Sequence, residues 1–84
     1  MRHYVARVYV ALKPTVNDPE GNTIAGALQN LGFDSVHGVR SGKYIQVTLE
    51  AADEEAASSA VDQMCTRLLA NPVIETYRFE ISTA

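Results

Sequence analysis

The sequence predicts an α+β domain with the element order βαββαβ, and three observations carry the assignment. Apolar and polar residues alternate from Tyr4 to Leu12, from Tyr44 to Glu50 and from Thr76 to Ile81, the period of strands covered on one side. Stretches of helical periodicity lie between them, opened by aspartates placed to cap a helix, Asp18 and Asp53. The chain has 84 residues, 46% hydrophobic and 20% charged, with no linker composition and no internal repeat, which predicts one domain over residues 1–84.

In the first strand Ala6, Val8, Val10 and Leu12 share one face, and His3, Val5, Arg7, Tyr9 and Ala11 the other. The segment KPTVNDPEG ends it, and Pro19 takes the first helical position, where a missing amide hydrogen costs nothing. Ile24, Ala27, Leu28 and Leu31 form the apolar stripe of that helix, and Gly32 can take the left-handed conformation that stops it. A second strand is expected over Phe33 to Arg40, weakened by Gly38, with Ser41-Gly42 closing a tight hairpin into the third. There Ile45, Val47 and Leu49 face the core while Tyr44, Gln46, Thr48 and Glu50 face away. The next helix has Glu54 and Glu55 in its first turn, an apolar stripe of Ala57, Ala60, Val61, Met64, Leu68 and Leu69, and a stop at Asn71-Pro72. The last strand buries Tyr77, Phe79 and Ile81 and exposes Thr76, Arg78 and Glu80.

This order folds as a ferredoxin-like two-layer sandwich, a four-stranded antiparallel sheet with both helices on one face. Right-handed crossovers make the first and third strands central. The uncovered face would carry Val5, Arg7, Tyr9, Tyr44, Gln46, Thr48 and Arg78, a mixture that serves equally as a solvated face or as a protein contact.

Charge and composition exclude several roles. Seven Lys plus Arg against ten Asp plus Glu leave a net charge of -3, which argues against nucleic acid as a partner. The single cysteine, Cys65, rules out an internal disulfide and reads as a small buried hydrophobe. The opening MRHYVARVYV lacks the apolar run of a signal peptide and no stretch is long enough to span a bilayer, so a cytoplasmic protein without membrane contact is expected. Neither histidine has a ligand-spaced partner, and no Cys/His or Ser/His grouping, phosphate-binding glycine loop or isolated carboxylate pair is present, so no metal, cofactor or catalytic residue is expected in this chain. Tyr44 and Tyr9 on an open sheet face resemble an RNA-recognition platform, but Gln46 and Thr48 stand where further aromatics are wanted. An amino-acid-binding regulatory domain of the ACT type remains an alternative, with NDPEG as its binding turn; capping explains Asp18 and Pro19 without a ligand.

The segments VYVALKPTVNDPEG, GVRSGKYIQVTLE and ANPVIETYRFEI, in this order and spacing, resemble the signatures of the PurS family, the small subunit of phosphoribosylformylglycinamidine (FGAM) synthase. They fall here on Leu12-Lys13, Asp18 to Gly21, Val39 to Lys43 and Ala70 to Glu75, and Gln46 replaces an acidic residue frequent in the family. The resemblance implies a PurS-like fold and a non-catalytic subunit that bridges a PurL-like synthetase and a PurQ-like glutaminase and assists ammonia transfer. ATP and magnesium would be used by the synthetase and none by this chain. A homodimer or homotetramer is expected, because so small a domain buries only about 60–65% of its surface alone. The partner-docking candidates are Arg40, Gly42, Lys43 and Tyr44 at the presumed hairpin, and Lys13 and Asp18 in a second patch. Solvated turn charges or a phosphate site are the other readings of Arg40 and Lys43.

Overall fold

Strand β1 (Arg2–Leu12) is the axis of the structure, a computed structural model that describes all 84 residues. Its neighbours are β2 (Gly42–Ala51) on one side and β3 (Glu75–Thr83) on the other, both antiparallel, in the order β2-β1-β3. Registers such as Val8↔Ile45 and Val8↔Phe79 put the alternating apolar residues of all three strands on one face. On that face lies α2 (Glu54–Met64), capped by the Asp53 carboxylate, which accepts the Ala56 N–H at 2.8 Å. Ala57, Val61 and Cys65 pack onto Tyr4, Ala6, Val8 and Val10, and none of these seven side chains is more than 2% exposed.

Helix α2 passes into a π-helical turn over Cys65–Leu69, closed by the Ala70 N–H on the Cys65 carbonyl at 3.0 Å. The wider turn shifts the helical stripe by a residue, half-burying Leu69 and Met64 but leaving Leu68, expected in the core, 83% exposed.

The expected fourth strand is absent. Residues 33–41 form turns and extended chain with no ladder partner, because Phe33, Val36 and Val39 fall three apart and lack a strand's alternation. The sheet is therefore three-stranded, β1 alone is central, and the third predicted strand becomes an edge. Nor do both helices cover the sheet: α2 packs on all three strands, whereas α1 (Pro19–Asn30) makes at most marginal contact with any of them. It extends the molecule to 52 × 27 × 14 Å with a radius of gyration of 16.5 Å. A compact chain of this length would have about 12 Å.

The core is thin, so burial should govern the cost of losing two methyl groups. Val8→Ala is expected to destabilise by about 2–3 kcal/mol, while Val73→Ala, where the side chain is 75% exposed, should stay within about 0.5 kcal/mol. Urea titrations monitored by circular dichroism check the pair.

Candidate functional site: a helical arm and its neck

Leu12 hands the chain to a segment that leaves the sheet, forms α1, and returns to Gly42. Its two ends meet at Asp18. This carboxylate is 2% exposed, accepts the Gly21 N–H at 2.9 Å as the N-cap of α1, and accepts the Ser41 N–H at 2.6 Å. The Ser41 hydroxyl donates to the same carboxylate, 2.9 and 3.0 Å from its two oxygens. Residue 21 must be glycine, because a Cβ there would fall on the Val39 carbonyl oxygen. Arg40 completes the neck: one Nη donates to the Lys13 carbonyl at 3.0 Å and the Val16 carbonyl at 2.8 Å. At the far end, the Gly32 and Phe33 N–H groups close a Schellman motif on Gln29 and Leu28, with Gly32 at φ 101° as the sequence predicts.

Ser41-Gly42 is thus not the tip of a hairpin. Ser41 belongs to the neck, and Gly42 opens β2 opposite Ala11, where a Cβ would stand 2.6 Å from the Val10 carbonyl oxygen. Lys43 lies 3.4 Å from Glu75 across the end of the sheet, and Lys13 donates its Nζ to the Pro72 carbonyl at 3.0 Å. Five of the six docking candidates therefore make contacts that build this end of the fold. Tyr44 is the sixth, 53% exposed on the uncovered sheet face.

The uncovered face carries an ordered row. Arg78 lies 4.1 Å above the Tyr9 ring, and the Tyr44 ring follows at 5.3 Å from Tyr9, all three from paired positions on adjacent strands. Arg7 donates to Ser82 at 2.9 Å in the next row. Tyr9, Tyr44 and Arg78 were legible as face residues from the alternation; the Arg40 contacts were not, since two carbonyl acceptors on another loop leave no trace in residue type.

The arm carries apolar surface of its own. Ile24, Leu31 and Phe33 are 39%, 74% and 54% exposed, although Ile24 and Leu31 lie on the stripe expected to face a core. Beside α2 runs a matching groove of about 640 Å³, lined by Val47, Ala60, Met64, Leu68 and Leu69 among others. In a ferredoxin-like fold the first helix would occupy such a place.

The neck dictates a pH response. Hydrogen bonds from the Gly21 N–H and then the Ser41 N–H hold the Asp18 carboxyl below its ordinary value, and the Asn71 N–H and Lys43 do the same for Glu75. Depressed carboxylate pKa values give stability that is fully present above about pH 4 and is lost as pH falls through the folded values. The arm should therefore loosen below about pH 4. Asp18→Asn, whose amide places donors against the Ser41 N–H, should loosen it at neutral pH and remove most of that acid dependence. Amide hydrogen exchange across residues 19–40 measures both effects.

Comparison with known proteins places the chain. The family model for PurS, phosphoribosylformylglycinamidine (FGAM) synthase, matches residues 5–83. The PurS subunit of Synechocystis FGAM synthase is 56% identical over 94% of this chain and 79% of its own length. Methanocaldococcus jannaschii PurS, a subunit of formylglycinamide ribonucleotide amidotransferase in the purine biosynthetic pathway, superposes with a TM-score of 0.85 at 41% identity over 96% of this chain and 98% of that one. A chain in the structure of PurLQS from Thermotoga maritima gives 0.86 at 33% identity over 100% of both. Matched by the family model over residues 5–83 and superposing on these solved structures over nearly its whole length, the chain belongs to the PurS family of FGAM synthase subunits.

Proposed function

We propose that this chain is the non-catalytic small subunit of FGAM synthase in purine biosynthesis, acting in the cytoplasm to hold a PurL-like synthetase and a PurQ-like glutaminase together. The observation that carries this reading is the full-length likeness to a chain of the Thermotoga maritima PurLQS complex. The buried Cys65 thiol has its pKa raised by burial, which disfavours the reactive thiolate. The synthetase would use ATP and magnesium, and the glutaminase would release ammonia. In bulk water ammonia is diluted and protonated, so a subunit that fixes the two enzymes relative to one another keeps the nucleophile neutral and close to its acceptor.

The arm supports self-association as part of this role. Helix α1, with 12 residues, is about 18 Å long and α2, with 11, about 16–17 Å, and the bare apolar residues of α1 have no partner on their own sheet. A second copy that lays its arm in the α2 groove, and accepts the first copy's arm in return, covers both surfaces with one two-fold contact.

Reconstitution with purified synthetase and glutaminase tests the reading. Glutamine-dependent FGAM formation is expected to require this chain, while formation from a high concentration of added ammonia should depend on it much less. Leu31→Asp should shift the chain from dimer or larger toward its 9.1 kDa monomer by sedimentation and lower the glutamine-dependent rate with it. Equal glutamine-dependent rates with and without the chain would overturn the assignment, and saturable calorimetric binding of a free amino acid at the Asp18 turn would favour the ACT-like alternative.

A further inference from the structure

At the Ala11 end of the uncovered sheet face, a row of small residues lies beside the row of large ones. Gly42, Ala11 and Thr76 pair across β2, β1 and β3, next to Tyr44, Tyr9 and Arg78. The step between the rows makes a concavity of about 450 Å³. Arg40 and Arg78 line it and no carboxylate does, in a chain with ten acidic and seven basic residues, while Lys43, in register with the buried Val10, turns its ammonium to Glu75 on the covered face. The nearby acids are already engaged. Asp18 is enclosed by Gly21 and Ser41, Glu75 is held by Asn71 and Lys43, and Glu80 lies beside Arg78 at 3.2 Å. The acidic side chains of α2 and its cap, Asp53, Glu54, Glu55 and Asp62, belong to the opposite layer.

The geometry points to this notch as the docking site for an acidic side chain on a protein segment of a non-identical subunit, a proposal that rests on the chain being part of a multi-subunit synthase. Charge sets the sign of the partner, because a net-negative protein that places two arginines at a carboxylate-free depression complements an anion there. Preorganisation makes the site effective. Arg78 is held by the Tyr9 ring and by Glu80, and Arg40 by two carbonyls, so little side-chain freedom is lost on binding while further guanidinium donors stay available. Shape selects a macromolecule over a free anion. The depression is open along the sheet and would cover a small ligand poorly, whereas a protein segment adds contact along Tyr9 and Tyr44, residue types enriched at interface centres.

The test uses the full chain with its synthetase and glutaminase, measuring binding of each by interferometry at several salt concentrations. Arg78→Glu and, independently, Thr76→Glu, which puts a carboxylate into the notch, should each weaken binding of one of the two subunits tenfold or more. Arg2→Glu, at the opposite end of β1, should change it less than twofold. Circular dichroism and sedimentation should find both variants folded and self-associating like the parent. Parent-like affinity in both variants overturns the proposal and leaves the subunit assignment intact. Loss of self-association instead assigns the notch to a second copy, and phosphate binding by the parent that Arg78→Glu abolishes with subunit binding unchanged assigns it to a small anion; either overturns it. A parent that binds neither subunit removes the assignment and this proposal with it.

Discussion

One carboxylate decides the shape of this molecule. Asp18 is 2% exposed, and a buried carboxylate persists only where donors surround it. Here the donors come from both ends of one excursion, Gly21 where the chain enters the helix and Ser41 where it returns. Satisfying the carboxylate therefore brings residues 18 and 41 side by side and closes a long loop, against an entropy cost that rises only slowly with loop length. Arg40 fastens the same junction to the Lys13 and Val16 carbonyls. The loop becomes an arm with a fixed root.

An arm held away from its own sheet leaves a deficit elsewhere. Only 11 of 84 residues are buried, and a single helix with its π turn covers one face of three strands. The apolar stripe of α1 and the groove beside α2 are the two halves of a contact that a compact fold would make internally. In the single chain both surfaces stay open, so that burial is missing from its own fold. The other sheet face is organised differently, by cross-strand pairing of Tyr44, Tyr9 and Arg78 instead of by burial. The two surfaces differ in chemistry, apolar on one side and cationic-aromatic on the other.

Much of this was legible in the sequence, for reasons that also explain the rest. Val8 and Ile45 declared their face because alternation is imposed by the strand itself, and Asp18, Pro19, Gly32 and Asp53 marked helix ends through local chemistry. The segment after Gly32 did not declare itself, since a few apolar residues around Gly38 fit a weak strand as well as a returning loop. The stripe of α1 was visible, but periodicity identifies a face without saying what covers it, and Leu31 faces solvent in the single chain. Leu68 was misplaced by the π turn, which breaks the count of residues per turn on which the stripe depends. Arg40 and Lys43 looked like exposed turn cations because their acceptors, on Lys13, Val16 and Glu75, become neighbours only through the neck.

The neck holds α1 off its own sheet. Spin labels on the Ser35→Cys, Thr83→Cys double variant, read by double electron–electron resonance in a labelled chain diluted with unlabelled protein, measure it directly, since Cys65 is fully buried and stays unlabelled. A single narrow distribution at long distance is expected for the parent, broadening markedly in Asp18→Asn. A short distance in the parent, with the arm folded onto its own α2 groove, or a distribution that Asp18→Asn leaves unchanged, would contradict the account.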